Sequence, residues 1–195
     1  MKSILTIIIA LFFLLIFTTC KKEKSCAGFN PADLTEFSYQ TADTLVFMDV
    51  DSNLFSIYIS AINYSEPYTY KCKDLYKTCP CINYVEALAT DSRSTTEYTF
   101  LKMEQSDVSE MQYFKYNVQG FEFEFDFINE LPYIDQMEHL QHFQIMTIGN
   151  YVYDNVIEVT NLNLSTANIY KVYFNKQNGL LRFSEKTTNK VWTLR

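Results

Sequence analysis

The clearest pattern in the chain is residues 121–127, which read Phe-Glu-Phe-Glu-Phe-Asp-Phe. Strict alternation with period two predicts a β-strand with four rings on one face and three carboxylates on the other. A solvated acidic face of this kind also opposes the addition of foreign strands. Weaker alternation predicts strands over 43–50, 54–62, 84–90, 95–104, 111–118, 143–148, 152–160, 168–175 and 180–184. Asp51-Ser52-Asn53 marks a hairpin loop, and Asn178-Gly179 is a strong signal for a two-residue hairpin turn. The chain has only four Gly and four Pro, so its turns must lean on 14 Asn and on Asp and Ser. The expected fold class is all-β: a mostly antiparallel meander of about ten strands, forming a sandwich or half-barrel-like sheet. At most one short helix is expected, around 131–144, beginning after Pro132.

The N-terminus departs from this pattern. Lys2 precedes residues 4–17, which are apolar apart from Thr6. Crossing a bilayer takes about 20 such residues, so the run predicts the helical core of a signal peptide rather than a membrane span. It ends at Phe17-Thr18-Thr19-Cys20, followed by Lys21-Lys22-Glu23-Lys24. Three regions are expected: a signal peptide over 1–19, a tether over 20–42, and a single β-rich domain over 43–195.

A cysteine directly after small residues at the end of such a core resembles a bacterial lipoprotein lipobox, differing from the strict pattern at Phe17 and Thr19. The resemblance implies cleavage before Cys20 and acylation of its thiol and amino group, giving a membrane anchor. One acyl chain holds a protein only marginally, and two or more hold it stably. Lys21 stands where enterobacterial lipoproteins kept at the inner membrane carry Asp. By the same resemblance the expected location is therefore the outer membrane, on its periplasmic or its surface face.

Four further cysteines follow, Cys26, Cys72, Cys79 and Cys81. In an exported protein they are disulfide candidates. A bridge between Cys79 and Cys81 across Pro80 would be strained, so each is expected to pair elsewhere, one with Cys72 and the other with Cys26. The spacing matches neither the paired cysteines of structural zinc sites nor a Cys-x-x-Cys redox motif.

Composition narrows the function classes. The formal charge is −7 over 195 residues, and loss of 1–19, which carries only Lys2, makes the mature chain one unit more acidic. This balance argues against nucleic acid and against electrostatic docking on anionic lipid. Aromatic residues at 16% are too many for a disordered polymer at this charge.

The C-terminal third carries Tyr153-Asp154-Asn155-Val156, then an aromatic-rich run over 169–183 containing the Gly179-Leu180 turn, then Val191-Trp192-Thr193-Leu194. It resembles the ending of many small lipoproteins of Bacteroidota. The resemblance implies a three-strand meander with Tyr170, Val172 and Phe174 on its inner face and Trp192 closing the core. It implies no catalytic residues.

No phosphate-binding Gly-rich loop, Gly-x-Ser-x-Gly elbow or His-Glu-x-x-His motif occurs. His139 and His142 are the only histidines. On a helix they would share a face with Glu138, yet without a third placed ligand they read as solvated polar residues. The expectation is a non-catalytic envelope module without cofactor or metal. Its partner would be a protein, glycan or lipid of the envelope, since a Tyr-rich surface suits adaptable contacts. The alternative is a carrier that holds a lipid or small hydrophobe in a curved-sheet groove. Whether the inner face is hollow or filled separates the two.

Overall fold

The computed structural model describes residues 37–66, 68–69, 81–106, 112–126, 131–132, 138–162 and 167–195. Within them the chain is all-β. Eleven antiparallel strands carry the fold: β1 (Thr44–Met48), β2 (Leu54–Tyr64), β4 (Cys81–Asp91), β5 (Ser94–Ser106), β6 (Gln112–Val118), β7 (Phe121–Asp126), β9 (Glu138–Ile148), β10 (Tyr151–Asn161), β11 (Ile169–Asn175), β12 (Gly179–Glu185) and β13 (Val191–Leu194). Two short pairings, β3 (Tyr68–Thr69) and β8 (Leu131–Pro132), complete it. The sheet runs β8-β7-β6-β5-β4-β2-β1-β13-β12-β11-β10-β9, with β3 beside β4. Two meanders are thus joined where the first strand pairs with the last, Phe47 opposite Leu194 and Met48 opposite Thr193.

Alternation explains most of the strands. Phe121, Phe123 and Phe125 are buried, while Glu122 and Glu124 face Lys115 across the hairpin. The sheet then curls into a half-barrel. Phe174 of β11 lies 5.2 Å from Tyr116 of β6 and 5.3 Å from Phe123 of β7, ring centroid to centroid. Those strands stand seven and eight places away along the sheet, so contact requires one half to fold over the other. Phe100 joins this core through a bulge: Ala87 pairs with Leu101 and Leu88 with Thr99, leaving Phe100 as the extra residue.

Across β10–β13 both faces are buried. Ile157, Val172, Phe174 and Leu180 enter the main core, while Val156, Tyr173 and Leu181 form a second cluster on the opposite face. Ile148, Phe143, Met146 and Tyr153 cover that cluster, and Gly149 at the hairpin tip reaches Thr193 of β13. The β9–β10 hairpin therefore bends back over the sheet. The bend falls at Asn155, whose φ is +52°, and the Asn175 side-chain amide donates to the Asp154 carbonyl there at 3.1 Å.

Four expectations need correction. Residues 138–144, the described end of the 131–144 segment where at most one short helix is expected, belong to β9 and pair in register with β10. Leu140 packs on the main core and Phe143 on the second cluster, so their spacing of three serves opposite faces of a strand rather than one face of a helix. Tyr170 is not a core residue. A bulge between Ile169 and Lys171 places Ile169 inside instead, fully buried, while Val172, Phe174 and Trp192 are buried as expected. The Asn178-Gly179 signal marks the right hairpin with a different turn, because Asn175 pairs with Gly179 across three residues. Asn175 Oδ1 accepts the Asn178 N–H at 2.8 Å, and Gly179 takes a left-handed φ of +67°. Finally, part of the expected tether is core. Tyr39 is buried, sits edge-on to Phe100 at 5.3 Å, and accepts the Leu180 N–H at 2.7 Å.

Gly179 and Tyr39 depend on each other, since a Cβ at 179 would overlap the Tyr39 hydroxyl. Gly179→Ala is expected to lose roughly 2–4 kcal/mol, from left-handed backbone strain plus displacement of the ring. Tyr39→Phe strands a buried N–H and should lose about 1–3 kcal/mol. Urea denaturation followed by tryptophan fluorescence measures both, and an unchanged midpoint for either variant would refute the coupling.

The β1–β2 loop supplies a pH dependence. The Lys190 ammonium, at 2.8 Å, is the main cause that holds Asp49 down from 3.8 to about 2, assisted by Asn53. A depressed carboxylate contributes stability above its unfolded value, and that contribution fades as pH falls from about 4 through about 2. Asp49→Asn should therefore flatten this limb of the stability curve, measurable by denaturant titrations at both ends of the window.

Candidate functional site

The β4–β5 hairpin ends irregularly. Ala89 pairs with Tyr98 and Asp91 with Ser94, so residues 95–97 stand opposite Thr90 alone. Extra length in one strand breaks the ladder and turns side chains off the pleat. The splayed end opens a cleft of about 440 Å³ against the β6–β7 turn. Asp91, Arg93, Ser94, Thr96 and Tyr98 line it from the hairpin, and Asn117, Gln119 and Gly120 from the turn.

Both sides of the cleft are held by short local bonds. Asp91 Oδ1 accepts the N–H groups of Arg93 and Ser94 at 2.7 and 2.9 Å. Gln119 and Gly120 both have positive φ, +50° and +83°, as a primed hairpin turn requires. Asn117 Oδ1 accepts the Gly120 N–H at 2.9 Å, and its amide donates to Glu122 at 3.2 Å.

Arg93 ties this rim to the far half of the sheet. Its guanidinium donates to Glu185, whose carboxylate is fully buried, and lies 4.8 Å over Phe55 and 5.3 Å over Trp192. Thr188 also donates to Glu185 through its hydroxyl. The Tyr98 hydroxyl is buried and has no hydrogen-bond partner among the described residues. Burial, reinforced by the Asp91 charge, pushes its phenol well above the usual range, so it stays a neutral donor and acceptor. The cleft's polar side chains are thus largely engaged with their neighbours, Gln119 Oε1 also accepting from Arg93 at 3.5 Å, and most of its accessible lining is apolar.

Of the residues singled out by sequence, Cys81 is buried at the start of β4 and is not free. Cys20, Cys26, Cys72 and Cys79 lie outside the described residues. His139 and His142 both lie exposed on β9, and their spacing puts them on opposite faces of the strand. Sequence reasoning missed the cleft altogether. Its residues come from two consecutive hairpins, and their only local signals are turn chemistry and a strand that breaks alternation around Thr95-Thr96-Glu97.

No family model, no curated protein and no solved structure matches the chain. The class rests on fold and site: a curled antiparallel half-barrel with aromatic rings packed between its halves and an open cleft on its rim.

Arg93→Ala leaves Glu185 buried without its cation and should lose about 2–3 kcal/mol, below the usual range for a buried pair because Arg93 is 42% exposed. Adding Glu185→Gln should recover much of that loss. A double-mutant cycle by chemical denaturation decides; additive effects would show that the pair is uncoupled.

Proposed function

We propose that this chain is a lipid-anchored lipoprotein of the bacterial envelope, held at the outer membrane through acylated Cys20. Its β-rich domain acts there as a non-catalytic binding module for an envelope protein, glycan or lipid. The observation that carries the binding role is the contrast between the two surfaces of the sheet. The inner face is packed ring against ring by Tyr116, Phe123, Phe125 and Phe174, whereas the rim cleft is open to solvent, with a largely apolar lining edged by polar side chains. Pre-formed concave sites with a few placed polar groups are where small ligands and chain ends bind. The ring-against-ring packing between the two halves of the sheet weighs against the carrier reading, which needs an apolar hollow.

The anchor reading rests on the sequence of residues 1–20 and on its likeness to a lipobox. The disulfide reading draws support from Cys81, which is buried and engaged in a bond. Its partner in this reading is Cys72 or Cys26. Such a bond would pin the start of β4 to the chain before it and restrict the unfolded state.

Metabolic labelling with an alkynyl fatty acid in a bacterial host tests the anchor. The native chain should take label and sediment with membranes, while Cys20→Ser should lose both properties. An unlabelled, soluble native chain would refute the anchor. Alkylation of the exported protein without reductant should leave Cys26, Cys72, Cys79 and Cys81 unmodified, and modification of all four would refute the disulfides.

A further inference from the structure

Given the lipid anchor and the disulfides proposed above, the cysteines decide how the domain stands on its membrane. Cys81 opens β4, is buried, and is already bonded. Cys79 lies two residues before it, across Pro80, and a bridge between the two would be strained. Two pairings of the four cysteines then remain. Either Cys81 takes Cys26 and Cys79 takes Cys72, or Cys81 takes Cys72 and Cys79 takes Cys26. In both, Cys26 is bonded within two residues of the start of β4.

The fold accommodates such a bond. Tyr39 packs on Phe100 at 5.3 Å, and Phe100 lies between the residues that pair with Ala87 and Leu88. Those positions stand six and seven residues along β4 from Cys81, roughly 20 Å. Cys26 precedes Tyr39 by 13 residues, enough to span about 45 Å. The chain therefore reaches from the start of β4 to the Tyr39 site with length to spare.

The bond also shortens the leash. Cys20 is 17 residues from Phe37, a reach of about 60 Å, but only six from Cys26, a reach of about 20 Å. β4 has 11 residues and is about 35 Å long, so the short leash cannot carry the whole strand clear of the bilayer. The strand pairing sets what lies at each end. Tyr64, Ser106, Gln112 and Asp126 share the end marked by Cys81. The β4–β5 and β6–β7 turns, with the cleft between them, share the other.

We infer that Cys26 is disulfide-bonded at the start of β4, to Cys81 or to Cys79. The anchored domain therefore stands with its Cys81 end toward the bilayer and its cleft-bearing rim away from it. A partner that docks at this rim is met in the aqueous space of the envelope, not in the anchoring bilayer.

Bond and stance are tested separately. Tryptic mapping without reductant, on the Cys20→Ser chain exported to an oxidising compartment, reads the bond in the absence of lipid. Peptides 25–71, 72–73 and 78–93 should travel as one species that reductant separates. A free thiol at Cys26, or Cys26 joined to Cys72 with 78–93 apart, overturns the bond. For the stance, the acylated chain is placed in phosphatidylcholine vesicles that carry an acceptor dye on their headgroups. A donor dye is attached through azidophenylalanine in place of Tyr64 or Thr95, both exposed. The two sites lie about 20 Å apart along the strands, so the donor at 64 should transfer roughly twofold more energy than the donor at 95. Cys26→Ser, which restores the long leash, should bring that ratio toward one. Equal transfer in the parent, or more from 95, overturns the stance. A native chain that takes no acyl group overturns the anchor reading and the stance with it, while joined peptides still uphold the bond.

Discussion

Phe174 can touch Tyr116 and Phe123 only if a sheet of a dozen strands closes half of itself over the other half. Each buried ring contributes roughly 1.5–3 kcal/mol through removal from water, and tilted or edge-on contacts add about 0.5–1.5 kcal/mol per pair. An open sheet would leave these rings in solvent. The curl therefore follows from where the aromatic residues stand, and the other irregularities accommodate it. The bulges at Phe100, at Ile169–Lys171 and around Leu181 each insert one residue and reset the alternation, so that consecutive residues such as Phe100 and Leu101 both reach the main core. The β12 shift is what lets Leu180 and Phe183, three residues apart, both enter the main core while Leu181 joins the second cluster.

Closing the sheet also creates demands at its rim. The N-terminal segment supplies Tyr39, which fills the space that Gly179 leaves free and satisfies the Leu180 N–H. Arg93 reaches across from the β4–β5 hairpin to Glu185, stacking over Phe55 and Trp192 on the way. These are ties between segments far apart in sequence, and both sit near turns, where the ladder alone is weakest. The same hairpin end that sends Arg93 across the rim is splayed by its three-against-one mismatch, and the cleft forms there. Tying and splaying are compatible because the arginine fixes one wall of the opening.

Much of the β-structure was legible from alternation. The Phe-rich strand, the hairpin loop at Asp51-Ser52-Asn53 and the final Trp strand all lie where the pattern places them. Failures occur where the period of two is broken or doubly used. Leu140 and Phe143 imitate a helical spacing because β9 packs apolar residues on two faces. Tyr170 loses its inner place to Ile169 through a one-residue slip. Tyr39 is absorbed into the core from a segment whose composition reads as linker, since nothing local announces a partner 141 residues away.

The sequence by itself determined the all-β class, most strand positions and the acidic, aromatic-rich character of the chain, because alternation and turn chemistry act over a few residues. Only the tertiary structure decided which strands are neighbours, that the first pairs with the last, that rings from both halves of the sheet meet in one core, and that a cleft opens on the rim. Those properties depend on contacts between distant segments and on bulges worth a single residue. A local pattern carries no record of either.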